Sequence, residues 1–560
     1  MELFKRLNKN RVYILSQVLL LFLLLNYLFS NLNCRKDMSR FNRFELTRST
    51  ESILKNLPEK LYINAYFSSD IPSEYKPRIN LVKEIIKEIA DVNRKKVELR
   101  FYDPDSGEED RKKAKEAGIR PLTIQKIERG SAQLKNDSFF GLTLTVGSKT
   151  ETLPVVPEAE KVEYQILSTL KKMFRKTNNS AVAIIKAPGA MTSPPIQQGA
   201  INKDTFSLFF QRAYEPENGK VTEVKINEDV VPEEITTLIL SGDPGLSEEG
   251  KFAIDQFLLR GGNLIIFPKM MDFTLEDRQN PYAAMMQRQQ PGLARTSPEA
   301  AKLNTFFEKY GFKINTDMVM EPENSMPLGP LVQVEPGVIG RYHYPLWLIV
   351  DNNEGINSEH ILTKETKGLL VPWTSTIEKF ETKQKGMKFT SLMESTVKAD
   401  IRKDFVMVGE KQVFSQEIKP KGTKFTLSLL LEGELQSSFT KDSIPTKYKD
   451  NSFLEKTPTG KKTKILVFGS PYIISDVLAM NRETAEVFSD NNVPFFLNVI
   501  DVLSGDTDLL AARTKQSGIL KLKPFPKNVE ILFSILNVFL VPIILSVYAF
   551  FRIKKRNRSV

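Results

Sequence analysis

The residues best placed to do chemistry in this sequence are carboxylates that follow short apolar runs. Asp103 and Asp105 stand in Asp103-Pro104-Asp105, directly after Val97-Glu98-Leu99-Arg100-Phe101-Tyr102. Asp243 stands in Gly242-Asp243-Pro244-Gly245, after the run from Thr236 to Leu240. Strand ends in α/β folds often carry ligand groups, and a carboxylate there can act as a general base in hydrolysis. The same tetrapeptides also make turns and helix caps, and that is the preferred reading of both. The two histidines, His343 and His360, stand beside no readable nucleophile or ligand partner. The one cysteine, Cys34, excludes an internal disulfide framework, a cysteine-rich zinc site and a CxxC redox pair. No GxxxxGK[ST] phosphate loop occurs, so ATP hydrolysis is not expected. GxSxG, HExxH and the EF-hand loop are absent as well. Lys461-Lys462-Thr463-Lys464 reads as a solvated charge run. No catalytic, cofactor-binding or metal-ligating residue is assigned, and the expectation is a protein that is not an enzyme and needs no cofactor.

The charge pattern points to a membrane. The formal net charge is +11, and much of the excess is terminal: Lys5, Arg6, Lys9 and Arg11 at the start, Arg552, Lys554, Lys555, Arg556 and Arg558 at the end. No aromatic and basic residues interleave as a nucleic-acid groove requires, so no nucleic-acid partner is expected. Val12 to Phe29 carries no charge over 18 residues, close to the length that crosses the hydrocarbon layer. An uncleaved helix over 12–30 is favoured over a signal peptide, because Ser30-Asn31-Leu32-Asn33 offers no Ala-x-Ala site. It is also favoured over a lipid-bearing Cys34, because Asn31 and Asn33 make a poor lipobox. A second span covers 529–551, with Pro542 placed to kink it and the basic tail 552–560 after it. Positive flanks stay inside, so residues 1–11 and 552–560 are expected in the cytoplasm and the bulk of the chain in the periplasm. Arg35, Lys36, Arg40, Arg43 and Arg48 oppose that rule at the first helix.

The elements between the spans must position any site. With 41% hydrophobic and 26% charged residues, the middle of the chain has an ordinary globular composition and should fold in water. A first α/β domain is expected over 40–177: a strand from Leu61 to Phe67, a helix with apolar positions Ile79, Val82, Ile85, Ile86 and Ile89, a strand from Val97 to Tyr102, and a charged helix from Glu108. A hairpin of Gly141 to Val146 with Glu151 to Val156 and a helix from Glu160 to Phe174 complete it. A second α/β domain is expected over 178–515. Ala181 to Ile185, Thr236 to Leu240, Asn263 to Phe267 and Ile465 to Phe468 are short continuous apolar runs, typical of buried parallel strands. The spacing predicts a doubly wound sheet with an insertion over about 270–460. The stretch from Met270 to Pro298 reads as a mobile loop, and Phe405 to Val413 and Thr423 to Glu432 as antiparallel strands within or beside the sheet.

Several motifs occur in an order that resembles one family. They are Phe44-Glu45-Leu46-Thr47-Arg48-Ser49-Thr50, Leu54-Lys55-Asn56-Leu57, Ala65-Tyr66-Phe67-Ser68, Phe101-Tyr102-Asp103-Pro104 and Glu163-Tyr164-Gln165-Ile166. Further along come Leu246-Ser247-Glu248-Glu249, Asp255-Gln256-Phe257-Leu258, Arg260-Gly261-Gly262, Phe468-Gly469-Ser470, Asn498-Val499-Ile500-Asp501 and Arg513. Over nearly its whole length the chain resembles the gliding-motility-type (GldG-like) auxiliary subunits of ABC transporters. The resemblance implies a non-ATPase partner of an ABC ATPase and a multi-span permease. It also implies a second domain with a flavodoxin-like or class I glutamine-amidotransferase-like sheet. Amidotransferase activity needs a cysteine nucleophile, and Cys34 lies beside the membrane, so that activity is excluded. The chain departs from the family where Lys186-Ala187-Pro188-Gly189 replaces a Gly-His-like turn.

The expected function is therefore an accessory or substrate-handling subunit of an ABC transporter in the inner membrane, with membrane lipid, the ATPase and the permease as partners. An envelope scaffold without a transporter and a membrane-anchored hydrolase using Asp103 or Asp243 are the alternatives. Asp103 and Glu163 are the positions expected to act structurally or at an interface, and the span with Pro542 is the expected permease contact.

Overall fold

The computed structural model describes residues 45–505 except 129–130, 157, 175–178, 197–201, 275–291, 329–330, 336, 352, 365, 367, 410–412, 415 and 450–451. It also describes 512, 513 and the isolated positions 17, 20, 531, 534, 539 and 549. The expected spans 12–30 and 529–551 otherwise lie outside the described residues, as do Cys34, Pro542 and both basic tails. Among the described residues no helix is long and apolar enough to cross a membrane.

The fold is α/β. A first mixed sheet uses β1 (Leu61–Phe67), β2 (Val97–Tyr102), β3 (Pro121–Glu128), β4 (Ser131–Val146) and β5 (Lys149–Leu153). The order is β2-β1-β4-β3, with β5 also on β4. β1 and β2 run parallel, and β1 and β4 antiparallel. The expected hairpin is the second half of β4 with β5. The long arm formed by β3 and the first half of β4 was not expected. Its sequence breaks the apolar alternation with Lys126, Gln133, Lys135 and Asn136, so no strand period shows.

Helices α1 (Arg48–Lys55), α2 (Lys76–Val92) and α4 (Ala159–Phe174) supply one core, and α3 (Glu108–Glu116) a smaller one. Ile79, Val82, Ile85, Ile86 and Ile89 form the buried stripe of α2. It meets Val162, Ile166 and Leu170 of α4 and the inward residues Leu61, Ile63, Leu142 and Leu144 of the sheet. Each such side chain contributes about 1.5–3 kcal/mol on burial.

The larger sheet has seven strands: β6 (Asn179–Lys186), β7 (Lys220–Lys225), β8 (Thr237–Gly242), β9 (Asn263–Pro268), β10 (Met387–Glu394), β11 (Thr426–Gly433) and β12 (Thr463–Phe468). Their order is β10-β11-β12-β9-β8-β6-β7. The run from β7 to β12 is parallel, while β11 and β10 are antiparallel additions. Both faces are covered. Val182 and Ile184 of β6, Ile239 of β8, Ile265 of β9 and Leu466 of β12 face one core. Their neighbours Ala183, Ile185, Leu238, Leu264 and Ile465 face the other. That is why these strands read as unbroken apolar runs rather than as alternation.

The expected insertion over about 270–460 is corrected in part. Residues 387–394 and 426–433 belong to the main sheet, where β11 meets the backbone N–H and C=O groups that β12 would otherwise present at an edge. The stretch read as a mobile loop contains the paired strands Met271–Asp272 and Leu293–Thr296, and its centre lies outside the described residues. Helix α6 (Ala300–Phe307) and antiparallel strands between Phe312 and Lys403 make the rest: Phe312–Ile314, paired with Ile377–Lys379, packs on the core that faces Ala183 and Ile465, while Asp317–Met320, Tyr344–Asp351 and Gly368–Pro372 pack on the core that faces Ile184 and Leu466. Residues Met1–Ser517 form one compact unit that contains both sheets, and Gly518–Val560 form another.

Helix α5 (Glu248–Leu259) shows how the matching motifs work. Ser247 caps it by accepting from the Gly250 N–H at 3.2 Å. Asp255 is fully buried and accepts from Tyr310 Oη at 2.8 Å, Ser437 Oγ at 2.7 Å, and Ser438 N and Oγ at 2.8 and 2.9 Å. Gln256 exchanges two hydrogen bonds with the Leu454 backbone, at 3.1 and 2.9 Å. The pair thus fastens the chain between β11 and β12 to α5. Asp255→Ala leaves buried donors without acceptors and is expected to cost about 4 kcal/mol. Urea unfolding followed by circular dichroism measures it, and an unchanged midpoint would contradict the assigned role.

Candidate functional site

Two adjacent residues of α4 hold parts of the chain far apart in sequence. Glu163 is buried, and its Oε1 accepts the Thr47 N–H at 2.6 Å and the Thr50 hydroxyl. Thr47 is also the N-cap of α1, accepting from the Thr50 N–H at 3.2 Å. A carboxylate from another helix therefore sits on the N-terminus of α1, where unpaired N–H groups and the helix dipole favour a negative charge.

The next residue, Tyr164, meets Arg513. The Arg513 Nε donates to Tyr164 Oη at 3.2 Å, and the guanidinium carbon lies 5.2 Å from the ring centre. Nη1 donates to Asn498 Oδ1 at 2.8 Å and to Asp501 Oδ2 at 2.9 Å, and Nη2 donates to Glu217 Oε2 at 3.2 Å. Tyr164 Oη in turn donates to Glu217. Asn498 and Asp501 lie three residues apart on α7 (Val493–Ser504), an otherwise apolar helix. Arg513 is 1% exposed, so its charge must be met inside the protein. Burial opposes that charge, yet Tyr164, Asp501 and Glu217 outweigh it and raise the guanidinium pKa. Burial lifts the Tyr164 phenol far above its usual value, so it remains a donor. The cluster joins α4 beside the first sheet, the Glu215–Asn218 turn before β7, and α7.

The second place to inspect is the carboxyl end of the parallel strands. In a sheet whose parallel strands run second, first, third, fourth, fifth, the crevice lies between β6 and β8. The protein's own backbone fills it. The Asp243 N–H donates to Gly189 O at 2.9 Å, the Gly245 N–H to Pro188 O at 2.8 Å, and Ser241 Oγ to Met191 O at 2.7 Å. Gly189 and Gly242 both have positive φ, 81° and 78°, and a Cβ on either would strike the other loop. Glycine is required there by conformation and by room alike.

Beside the crevice lie Lys203 and Lys269, with side chains 12% and 14% exposed. Lys203 Nζ is 2.7 Å from Asp204, and 4.9 and 5.5 Å from the rings of Phe273 and Tyr472. Lys269 lies 3.1 Å from Asp272 and 3.9 Å from Asp204. Asp243 Oδ2 accepts from the Glu299 N–H at 3.3 Å, and burial pushes its carboxyl above the usual range. The nearby hydroxyls of Ser241 and Ser470 donate to backbone carbonyls. The two lysines are thus paired with Asp204 and Asp272, and Ser241 and Ser470 are engaged, while Asp243 Oδ1 and Ser297 Oγ are buried with no hydrogen-bond partner among the described residues.

Asp103 does not join either place. Its Oδ1 accepts from the N–H groups of Ser69 at 3.1 Å and Asp105 at 3.0 Å, and Asp105 accepts from the Asp70 N–H at 2.9 Å. The pair binds the end of β1 to the end of β2. His360 accepts from the Leu362 N–H at 3.3 Å, with its pKa lowered by burial, and His343 is exposed. Sequence reasoning singled out Glu163 but missed Glu217, and it missed Lys203, Asp204, Lys269 and Asp272. The available signal for the Arg513 cluster was Asn498 and Asp501, two polar residues on one face of an apolar helix.

Both places are built on the α/β framework of the two sheets. A family model described as an ABC-type uncharacterized transport system matches residues 181–499, and the chain belongs to that family. The match begins in β6 and ends in α7, so it takes in all seven strands of the larger sheet. A second model, a domain of unknown function (DUF7088), matches 41–145. Glu163, Tyr164 and Arg513 fall outside both spans. An uncharacterized protein of Borreliella burgdorferi is 22% identical over 446 residues, which is 79% of this chain and 78% of that one. Among solved structures, the mmIFT52 N-terminal domain is 11% identical with a TM-score of 0.29, covering 61% of this chain and 100% of its own. A ThuA-like protein from Bacteroides uniformis is 10% identical with a TM-score of 0.28, covering 60% of this chain and 98% of its own.

Arg513→Met removes the cation from between Asp501 and Glu217 and is expected to cost about 3–5 kcal/mol. Arg513→Lys should recover only part of that, because an ammonium cannot reproduce the planar fork. Urea unfolding of the detergent-solubilised chain gives both values. Asp243 yields a pH test. Its raised pKa means that the folded chain keeps a proton which the unfolded chain has released, so stability falls as pH rises through that window. Asp243→Asn should therefore be the more stable form at neutral pH, with the gain shrinking towards about pH 4. Urea midpoints at the two pH values test the sign.

Proposed function

We propose that the chain is a non-ATPase auxiliary subunit of an ABC transporter, of the gliding-motility type. In this reading 12–30 and 529–551 span the inner membrane, both termini are cytoplasmic, and the regions 40–177 and 178–515 stand outside as two α/β domains. The second is a flavodoxin-like sheet, a reading supported by the order of its five parallel strands. The subunit carries out no reaction itself. It associates with an ATPase, a multi-span permease and the surrounding lipid, and it presents substrate at the permease.

The observation that carries this reading is the meeting at α4. Thr47, on the N-terminal approach, is held by Glu163, and Arg513, on the C-terminal approach, is held by Tyr164. Both points where the body passes towards an apolar run are thereby fixed to consecutive residues of one helix. Both approaches thus leave the body from one helix, and tethering supplies a high local concentration at the transporter without tight affinity. The family match supports the transport setting.

Two measurements test it. A mild-detergent pull-down of the tagged chain should bring an ABC ATPase and a permease in near-equal amounts. Loss of both from a preparation with intact apolar segments would sink the transporter reading. A membrane-impermeant maleimide should label the native Cys34 from outside in cells with an opened outer envelope. It should leave a cysteine introduced at Arg556 unlabelled until the inner membrane is lysed. Labelling of both would refute the topology.

A further inference from the structure

An open groove of about 860 Å³ lies away from both places described above, along the strand Asp400–Lys403 and the chain that follows it. Arg402, Lys403, Lys419 and Lys421 line it together with Phe405 and Phe425. Its one lining carboxylate is Glu417, 3.3 Å from Lys419, and a second carboxylate, Asp400, is buried beneath. Asp400 lies 3.2 Å from Arg402 and 3.3 Å from Lys421, and accepts the Lys419 N–H at 2.9 Å. The buried carboxylate therefore organises the cations rather than the reverse. Two positive charges are left over for the groove itself.

A further feature points to a ligand. Phe405 is 67% exposed beside these cations, with Met407 46% exposed next along the strand. A ligand that covers a phenyl ring gains free energy from that burial alone. A bare anion would use the cations and leave the ring wet.

We infer that this groove binds an amphiphilic oxyanion, a phosphate group carrying an apolar part, as in the headgroup region of an anionic phospholipid. Lys403 and Lys419 supply the attraction and Phe405 the apolar contact. The site is independent of whether a transporter accompanies the chain.

The test uses the full-length chain in amphipol, titrated calorimetrically with dihexanoyl phosphatidylglycerol below its micelle concentration. Dihexanoyl phosphatidylcholine and inorganic phosphate are the comparison probes. Saturable binding of the phosphatidylglycerol, and little of the phosphatidylcholine, is expected. The double variant Lys403→Gln with Lys419→Gln should weaken it on the order of twentyfold, since each lysine near an anionic lipid is worth roughly a factor of five. Neither lysine is tied to Asp400 through its ammonium group, so the melting temperature should hold. Phe405→Ala should weaken the lipid and leave phosphate unchanged. Inorganic phosphate binding as tightly as the lipid, with no effect of Phe405→Ala, would keep the oxyanion site but assign it to a free phosphoester. No binding of any probe, or binding indifferent to the double lysine variant, overturns the site.

Discussion

A guanidinium buried to 1% exposure must be surrounded by acceptors, and in this protein those acceptors come from three places. Arg513 draws in Tyr164 from α4, Glu217 from before β7, and Asn498 and Asp501 from α7. Its charge cannot be left unmet, because an isolated ion in the interior costs far more than any one contact returns. The requirement is stronger than that of an apolar contact, which can slide or repack. It fixes where α4 stands against the larger sheet. It also gives a physical reason why the first sheet and the second belong to one compact unit. Glu163 extends the constraint by one residue, to the start of α1.

The same use of buried charge recurs through the fold. Asp255 accepts from Tyr310, Ser437 and Ser438. Asp317 accepts from the N–H and hydroxyl of Thr376 at 2.8 and 2.7 Å, and Glu321 from the hydroxyl of Thr396 at 3.0 Å. Asp476 accepts from the hydroxyl of Thr205 and the N–H of Leu208 at 2.6 and 2.8 Å. Each carboxylate holds a segment distant in sequence and presents oxygens to donors there. Burial raises the pKa of Asp317 and Glu321. In an enzyme a raised carboxyl facing a cleft would suggest a general acid. Here both oxygens of Asp317 are engaged by one threonine, which is the geometry of a peg.

What could be read from the sequence follows from length and period. The strands at β6, β8, β9 and β12 announce themselves because burial on both faces demands four or more apolar residues in a row. Helix α2 is legible because five isoleucine and valine positions keep helical spacing. The strands of three to five residues between Phe312 and Lys403 are too short to show any period. The run from Thr423 to Glu432 could be read as an antiparallel strand within or beside the sheet, and it is β11, but the place of β10 could not. Edge pairing is decided by which backbone is left open, and no local pattern records that. For the candidate site, Glu163, Tyr164 and Arg513 could each be marked as a matching motif. Their contact could not, since Tyr164 and Arg513 lie 349 residues apart.

The closed switch point bears on mechanism more than any missing motif does. In an open α/β sheet the crevice beyond the strand ends exists because two neighbouring loops turn away from each other. Here the loops after β6 and β8 turn towards each other, and Gly189 and Gly242 let their backbones touch. The hydrogen bonds that a bound ligand would take are made between Gly189 and Asp243 and between Pro188 and Gly245. Opening the crevice would have to break those bonds and move chain that has no room for a side chain. The sheet is thus spent on rigidity. On the outer surface, the groove beside Phe405 combines charge with exposed aromatic area. One buried cation and two touching glycines thus hold the larger sheet and its neighbours in a single arrangement.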